Sequence, residues 1–233
     1  MRTFNIHNIK LGNNEPLVLI AGPCQIESLD HTLETAHSIK ETCDRLGIKF
    51  IYKSSFDKAN RSSLGTQRGI GIDEGLKILN SIKHEFGIPI LTDIHESYQA
   101  QLVADAGIDV IQIPAFLCRQ TDLIEACAKT GLPVLVKKGQ FLSPESCKYI
   151  ENKFYKAGGS KLLIGERGNS FGYNDLIVDV TSISRLKKSC ERSKIIMDCT
   201  HSLQRPNGVY GKTEGRGDGQ WDGIARSRSC CMR

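Results

Sequence analysis

Polar or charged residues close nearly every apolar, strand-like run of this chain, and this repeated pattern constrains the fold more than any other feature. The runs are LVLIAGPC (17–24), KFIYKSS (49–55), IPILTDIH (88–95), DVIQIPAF (109–116), PVLVKK (133–138), KLLIGER (161–167) and KIIMDCTH (194–201). Short β-branched runs are typical of buried parallel strands, in which Lys, Asp, His or Arg are out of place. In a (β/α)8 barrel, however, the carboxyl ends of the strands open into the active site. The runs therefore predict an α/β fold of the TIM-barrel type with its chemistry at the strand ends.

Helical patterns lie between the runs, and most of them end on glycine. Residues 28–46 place apolar side chains at steps of three and four, with Ser28 as the N-cap. Alternating strands and helices with right-handed crossovers predict a parallel sheet covered by helices. A doubly wound open sheet is the alternative, although no GxGxxG fingerprint follows the first run. Five glycines before strands are expected to be left-handed helix C-caps: Gly47, Gly87, Gly107, Gly131 and Gly158.

Composition excludes several classes of partner. The net charge is +5, but from Arg205 onward six Lys or Arg against three Asp or Glu contribute +3, which leaves only +2 for the rest. That balance, without a basic stripe, predicts no nucleic-acid binding. No apolar run approaches the roughly 18 residues of a spanning helix, and the first residues lack the apolar core of a secretory signal. Nine cysteines without a CxxC pair predict reduced thiols. We therefore expect a cytoplasmic protein without a membrane partner.

The chain changes character near its last residues. Residues 1–204 are expected to form a barrel body with seven strands, whereas residues 205–233 are rich in Gly and Arg and lose apolar periodicity. An eighth strand is not recognisable, so the eighth βα unit is expected to be missing and residues 205–233 to be poorly ordered. Codons allowed for residues 225–232 can, after a shift of one base, encode an Ala- and Leu-rich stretch. We therefore hypothesise a frameshift from about residue 214, which the coding DNA would decide.

Cations concentrate at the strand ends and in a loop over residues 55–71. A loop longer than about 12–15 residues usually binds something, and this loop is an anion-binding candidate. Lys137 and Lys138 must face opposite sides of their strand, and periodicity alone does not choose which of them points into the barrel. Phosphate and carboxylate groups of a ligand are the expected partners. The loop residues concerned are Lys58, Asn60, Arg61, Ser62, Ser63 and Arg68, and the cations expected at the barrel mouth are Lys53, Lys58, Arg61, Lys137, Lys138 and Arg167.

Cys24 and His201 end the first and seventh runs. A thiolate and an imidazole that meet at one mouth are able to bind a metal such as Zn²⁺, Fe²⁺ or Mn²⁺, and a buried structural cysteine is the alternative. Other polar residues at strand ends are able to orient water or substrate hydroxyls. The alternative for each is a polar group of the core whose hydrogen bonds are made within the protein. These residues are Asp93, His95, Gln112, Glu166 and Asp198.

Several segments together resemble one enzyme family. They are IAGPCQIES (20–28), KSSFDKANRSS (53–63), TDIHE (92–96), IQIPAFLCRQTDL (111–123), VKKGQF (136–141), ERGNSFGYNDLIVD (166–179) and DCTHSLQ (198–204). The chain is similar, over roughly residues 15–213, to the 3-deoxy-D-manno-octulosonate 8-phosphate synthases. The resemblance implies a (β/α)8 barrel, usually a homotetramer. It also implies condensation of phosphoenolpyruvate with D-arabinose 5-phosphate, with release of phosphate, in the synthesis of the lipopolysaccharide sugar Kdo.

The resemblance also implies roles for individual residues. Asn60, Arg61 and Ser62 would hold arabinose 5-phosphate, and Arg119 would reach the sugar phosphate bound by a neighbouring subunit, so a homo-oligomer is expected. Phosphoenolpyruvate would be held by Lys58, Lys137 and Arg167, with Lys53 and Gln112 nearby. The residues expected to take part in catalysis are Lys58, Asp93, His201 and Cys24.

Cys24 places the chain near the metal-dependent branch of this family, because the metal-independent branch has Asn there. Cys24 and His201 would then be ligands of a divalent metal such as Mn, Fe or Zn. The family's other two ligands, a Glu and an Asp from the eighth strand and its loop, have no counterpart after Thr213.

Two alternatives to this function stay open. The sister enzyme, 3-deoxy-D-arabino-heptulosonate 7-phosphate synthase, is disfavoured by the KANRS segment. An inactive fragment or pseudoenzyme is the non-catalytic alternative, since seven strands leave two strand edges unpaired.

Overall fold

The architecture alternates strand and helix, as the sequence predicts. The computed structural model describes residues 3–61, 64, 67–173 and 175–203. A hairpin of two antiparallel strands comes first, followed by a parallel sheet, and a second hairpin is inserted late in the chain. The strands are β1 (Phe4–Ile6), β2 (Ile9–Leu11), β3 (Val18–Ala21), β4 (Lys49–Lys53), β5 (Ile90–Asp93), β6 (Val110–Ile113), β7 (Val134–Lys137), β8 (Leu162–Glu166), β9 (Asn169–Phe171), β10 (Asp175–Ile177) and β11 (Lys194–Met197).

Helices follow most of the sheet strands. They are α1 (Leu29–Leu46), α2 (Ile72–Phe86), α3 (Gln99–Asp105), α4 (Thr121–Lys129), α5 (Lys148–Lys156) and α6 (Ser182–Ser189). The N-cap prediction for α1 is confirmed, because Ser28 Oγ accepts a hydrogen bond from the His31 amide at 3.2 Å. Gly47, with φ of 65°, caps the other end in the left-handed region. The other four glycines predicted before strands also have positive φ.

Seven parallel strands form one curled sheet in the order β11-β8-β7-β6-β5-β4-β3. The α/β prediction is confirmed. A doubly wound sheet would reverse its strand order at a switch point, whereas here each sheet strand lies beside the next one in the chain. Within the described residues, β3 and β11 are the two edges of the sheet. Residues 204–233, which include the whole of the predicted atypical segment 205–233, lie outside the described residues.

Side chains alternate between the two faces of the sheet and build two separate clusters. The outer cluster packs between sheet and helices and includes Phe50, Ile111, Val136 and Ile164. The inner cluster contains one residue from each of five successive strands, and apolar residues of the β1–β2 hairpin cover it from the amino-terminal end. Its strand members are Ile51, Leu91, Val110, Leu135 and Leu163, and the hairpin contributes Ile6, Ile9 and Leu11. The concave face of the sheet is therefore a packed core whose carboxyl end is left for polar side chains.

Within the described residues, no helix is both long enough and apolar enough to span a membrane.

Asp109 ties the hairpin to the amino-terminal end of the sheet. Its buried carboxylate accepts hydrogen bonds from the Ile90 amide at 2.9 Å and from Lys83 Nζ at 2.7 Å, and it also bonds His7 Nε2. Lys83 additionally donates to the Gly107 carbonyl at 2.7 Å. One carboxylate thus joins α2, β5 and the β1–β2 turn.

Asp109→Asn is expected to lower the free energy of unfolding by about 2 kcal/mol, because Lys83 and His7 lose a charged acceptor that is mostly shielded from water. Urea unfolding of the full chain measures this change. The matched control is Asp44→Asn in the exposed Lys40–Asp44 pair, for which a change within about 0.5 kcal/mol is expected. An equal decrease in the free energy of unfolding for both variants would contradict this structural role of Asp109.

Candidate active site

Polar side chains gather at the carboxyl end of the concave face. Four of them stand last or next to last in their strands: Lys53, Asp93, Gln112 and Lys137. Each follows an inner-cluster residue by two positions, so its side chain faces the same, concave side of the sheet. Arg167 and Asp198 continue the same alternation one residue beyond β8 and β11. Because parallel strands end at one edge, these six side chains surround a common mouth.

Two acidic side chains partly neutralise the mouth. Lys58 Nζ lies 3.8 Å from Asp93 Oδ2, and Lys137 Nζ is hydrogen-bonded to Asp198 Oδ2. Among the described residues, no carboxylate oxygen lies within 4 Å of the charged nitrogens of Lys53 or Arg167. The mouth therefore holds four cations against two carboxylates, an excess suited to an anionic ligand.

Burial affects these charges strongly. Desolvation lowers the pKa of Lys137 and of Lys58, although Asp198 and Asp93 oppose the shift. Desolvation would raise the pKa of Asp198, but Lys137 and His201 outweigh it and hold that pKa well below its usual range. The carboxylate of Asp198 thus stays ionised within a cationic surrounding.

Gly165 makes room for Lys137. The two residues are neighbours across β7 and β8, and a Cβ on Gly165 would lie 3.0 Å from Lys137 Cδ. Lys137 is on the inner face together with Leu135. Of the two adjacent lysines, it is therefore Lys137 that points into the barrel, which periodicity alone did not decide. Lys138 faces the outer layer and is completely buried there. The prediction that Lys138 joins the cations at the mouth is wrong, and Glu166 likewise lies on the outer face rather than at the mouth.

The loop after β4 folds back on itself and fixes Lys58. The Lys58 amide donates to the Arg68 carbonyl at 2.6 Å, and Lys58 Nζ donates to Ser55 Oγ at 2.6 Å. The Arg68 guanidinium donates to both carboxylate oxygens of Asp57, at 2.9 Å and 2.5 Å. Arg68 was expected to bind an anionic ligand, but its guanidinium is paired with Asp57 instead.

Two loop residues predicted to hold the sugar phosphate are exposed. Arg61 donates to Gln25 Oε1 at 2.7 Å and so bridges the loops after β3 and β4, while Asn60 lies beside it at the surface. Ser62 and Ser63 lie outside the described residues. Gln25 and Ser55, as partners of Arg61 and Lys58, were missed from the sequence, since a polar residue beside a charged one gives no distinctive pattern.

Arg119 is exposed beyond the short 3-10 helix Ala115–Leu117 that follows β6. Its carbonyl accepts from Lys153 Nζ at 2.8 Å, which ties this turn to α5. The structure does not bring its guanidinium into the ion pairs of the mouth.

Cys24, His201 and Asp198 form a chain of hydrogen bonds. His201 Nδ1 lies 2.8 Å and 3.0 Å from the two carboxylate oxygens of Asp198, and the His201 side chain bonds the Cys24 thiol. The His201 hydrogen bond lowers the pKa of Cys24 to about 6, against desolvation and with help from Lys58. Burial would lower the pKa of His201, but Asp198 and Cys24 raise it.

This chain of bonds fits a metal-ligating histidine in one respect. A carboxylate on Nδ1 fixes the ring and would let Nε2 serve as the ligand atom, beside a thiol that readily loses its proton. Within the residues described, the pair belongs to no cluster of three or more His, Cys, Asp or Glu side chains able to hold a metal. Cys24 and His201 are thus a partial donor set for a thiophilic divalent metal.

Polar atoms without partners point to where a ligand belongs. In the described part of the chain, Asp93 Oδ1, His95 Nδ1 and Gln112 Oε1 are buried and have no hydrogen-bond partner. Buried polar groups are rarely left unsatisfied, so such atoms usually mark a place for water, ion or substrate. His95 Nε2 also lies 3.7 Å from Asp93 Oδ2. Three of the strand-end groups found in the sequence, Asp93, His95 and Gln112, thus carry unused hydrogen-bonding capacity.

Comparison with known proteins identifies the family. The family model described as the DAHP synthetase I family matches residues 3–215. The chain belongs to the DAHP synthetase I family. Within it, the chain is 51% identical over 207 residues to the 2-dehydro-3-deoxyphosphooctonate aldolase of a Synechococcus species, covering 88% of this chain and 72% of the relative.

Other relatives carry the same name, which is a synonym of 3-deoxy-D-manno-octulosonate 8-phosphate synthase. The Rickettsia canadensis protein is 49% identical over 214 residues, or 92% of this chain and 77% of its own length. The Fusobacterium nucleatum protein is 48% identical over 210 residues, or 90% and 74%. The resemblance found from the sequence motifs is confirmed. The chain spans about three quarters of the length of these members of the DAHP synthetase I family.

Alkylation of Cys24 by iodoacetamide is expected to rise through about pH 6, because the reactive thiolate forms above the pKa of this thiol. His201→Ala removes the hydrogen bond that lowers the pKa, so the inflection should move upward toward the ordinary value of 9.0. Peptide mass spectrometry of the chelator-treated full chain measures the modification of each cysteine. Cys127, whose pKa burial raises to about 12, should stay unmodified. An unchanged Cys24 profile in His201→Ala would disprove this origin of the shift.

Proposed function

We propose that this protein condenses phosphoenolpyruvate with D-arabinose 5-phosphate and water to give 3-deoxy-D-manno-octulosonate 8-phosphate and phosphate. One observation carries the proposal: the excess of positive charge at a single mouth, in a chain about half identical to relatives named for this reaction. The product is the phosphorylated precursor of Kdo, and the enzyme is a transferase that forms a carbon–carbon bond.

Phosphoenolpyruvate would lie across the inner face. Lys58, Lys137 and Arg167 would neutralise its phosphate and carboxylate groups, with Lys53 and Gln112 beside them. Arg167 suits a bidentate contact because its guanidinium has no carboxylate partner within 4 Å in the described part of the chain. Asp93 and Asp198 would keep Lys58 and Lys137 charged and aimed while the site is empty.

Arabinose 5-phosphate would bind at the outer rim. Asn60, Arg61 and Ser62 would hold it. Asn60 and Arg61 are exposed loop residues, as expected for a substrate that enters from solvent. Arg119 would complete the sugar-phosphate site of a neighbouring subunit in a homo-oligomer, for which the family resemblance implies a homotetramer. Its exposure and its place away from the ion pairs of its own mouth agree with such a role.

The reaction would proceed without a covalent enzyme intermediate. The methylene carbon of phosphoenolpyruvate attacks the aldehyde carbon, and the new alkoxide takes a proton. Water adds to C2, and phosphate leaves with cleavage of its C–O bond. Asp93 would handle protons at the aldehyde and the water, and Lys58 would stabilise the charge that develops. Holding both substrates in register would supply much of the rate.

Cys24 and His201 would hold a divalent metal such as Mn, Fe or Zn. Such a metal supplies Lewis acidity to a carbonyl oxygen or to water. The thiolate, formed above about pH 6, and the imidazole, with Nδ1 held by Asp198, are the donors that support this assignment.

The complete architecture would be a (β/α)8 barrel whose eighth βα unit belongs between β3 and β11. Two features support this assignment: these strands are the edges of the described sheet, and their inner residues Val18, Ile20 and Ile196 are only partly buried. We propose that residues 1–204 form the seven-stranded body, with the eighth unit missing from residues 205–233. We propose a reducing, cytoplasmic location, because nine cysteines without a CxxC pair are typical of reduced thiols.

The 233-residue chain should release phosphate when given phosphoenolpyruvate and arabinose 5-phosphate with Mn²⁺ present. Erythrose 4-phosphate should be a much poorer partner, because the KANRS segment differs from that of the heptulosonate 7-phosphate synthases. The reverse preference would favour the sister activity, and a folded chain that releases no phosphate with either sugar would favour the inactive-fragment alternative.

Lys137→Met is expected to lower kcat/KM by about 100-fold or more, since it removes a preorganised charge from the mouth. Steady-state phosphate release measures this ratio. Lys129→Met is the matched control, because Lys129 is an exposed residue at the far end of α4 that pairs with Glu125. A similar loss in both variants would contradict a specific role for Lys137.

Cys24→Ser and His201→Ala should each lower bound metal and should lower activity in parallel. Metal content after dialysis is measured by mass spectrometry of the digested protein, independently of turnover. Cys199→Ser is the control, as its thiol lies close to this region but bonds the Met197 carbonyl. Unchanged metal content in both site variants would show that these residues are not ligands.

A further inference from the structure

Lys138 is the only lysine among the largest fully buried side chains of the described residues, and it lies directly beside the mouth. It is 0% exposed, in the layer between the sheet and the helices. A buried ammonium is costly unless polar groups surround it closely. This one is surrounded by oxygens from two segments of the chain, which we call the two loops: residues 138–142, after β7, and residues 166–170, which join the end of β8 to the start of β9.

The ammonium is surrounded by five oxygen atoms. Lys138 Nζ donates to Asn169 Oδ1 at 2.7 Å and to the Gly168 carbonyl at 3.1 Å, and it forms an ion pair with Glu166 Oε1 at 3.3 Å. On its own loop it reaches the carbonyls of Leu142 at 3.4 Å and Gly139 at 3.5 Å. A single charge therefore holds the backbone of both loops.

Further hydrogen bonds join the two loops around this charge. Asn169 Nδ2 donates to the Leu142 carbonyl at 2.7 Å, and the Ser170 amide donates to the Gln140 carbonyl at 3.0 Å. Glu166 Oε1 accepts from the Gly168 amide at 2.7 Å. Arg167 lies between Glu166 and Gly168, both of which belong to this network.

We infer that Lys138 is a positioning residue for the phosphoenolpyruvate site. Strand alternation sends Lys137 and Arg167 into the mouth while their neighbours Lys138 and Glu166 point to the outer layer. The Lys138–Glu166 pair with its carbonyl cage, which we call the outer clamp, therefore fixes the backbone from which both inner cations project. The inference rests on the proposed function for the identity of the ligand.

The outer clamp should act on one substrate and not on the other. Lys137 and Arg167 project from the clamped loops. Asn60 and Arg61 lie on the loop after β4, whose described residues form no hydrogen bond or ion pair with Lys138. Loosening the clamp is thus expected to raise the KM for phosphoenolpyruvate about tenfold, since small misplacements of binding groups are costly. The KM for arabinose 5-phosphate should change less than about twofold.

The test compares Lys138→Met, Glu166→Gln and Asp109→Asn in the full chain. Met keeps the unbranched stem but removes the charge, and Gln keeps an acceptor for the Gly168 amide but weakens the ion pair. Asp109→Asn loosens a buried ion pair at the opposite end of the sheet and controls for general loss of stability. The measurements are both KM values, kcat and the urea midpoint of each variant.

Hydrogen exchange gives a readout that does not depend on activity. Lys138→Met should speed amide exchange in residues 138–142 and 166–170 together, and Asp109→Asn should leave both loops as they are. Titration of phosphoenolpyruvate by calorimetry follows ligand binding without turnover. Glu166→Gln should show smaller changes of the same kind in the KM for phosphoenolpyruvate and in amide exchange. If Lys138→Met does not fold, the test is made with Glu166→Gln alone.

Three outcomes separate the possibilities. A selective rise in the KM for phosphoenolpyruvate with joint loosening of both loops supports the clamp. Equal changes for both substrates, or the same changes in Asp109→Asn, would overturn it, as would an unaltered KM for phosphoenolpyruvate in the clamp variants. A wild-type chain that binds phosphoenolpyruvate but does not turn over would count against the proposed function alone, and the clamp would then be decided by exchange and calorimetry.

Discussion

Neighbouring residues of a β-strand face opposite sides of the sheet, and the whole site depends on this constraint. On β7 it sends Lys137 into the concave face, where Gly165 leaves space for its stem, and Lys138 into the outer layer. On β8 it does the same for Arg167 and Glu166. Each strand end thus contributes one side chain to the mouth and one to the support behind it, and the two sets of charges are separated by the backbone of the sheet.

Charge balance is the second principle of the mouth. Four cations in a poorly solvated space would repel one another, and Asp93 and Asp198 offset part of that cost without cancelling it. Because these carboxylates stay ionised, the lysines are held in place before any ligand arrives. A ligand with phosphate and carboxylate groups completes the compensation. Preorganisation of this kind lowers the cost of binding and is also what stabilises developing charge during a reaction.

Asp198 connects the charged mouth to the Cys24–His201 pair. It bonds Lys137 on one side and His201 Nδ1 on the other. A change in the charge of Lys137 or of His201 therefore alters the electrostatic environment of the other through this one buried carboxylate. The low pKa of Cys24 follows from this arrangement, because His201 is oriented by Asp198 when it bonds the thiol. The proposed anion site and the proposed metal site are therefore electrostatically coupled and not two independent features.

Much of this protein was determined by its sequence alone. The alternation of apolar runs and helical segments, the glycine caps and the family motifs were enough to predict the α/β fold and several of the charged residues at the ends of its strands. Tertiary structure alone decided which of two adjacent lysines enters the mouth, since a period of two fixes relative orientation but not which face is concave. It also decided that Arg68 pairs with Asp57 and that Glu166 supports Lys138. Such partners are distant in the chain or unmarked by any pattern, and only packing brings their charges within hydrogen-bonding distance.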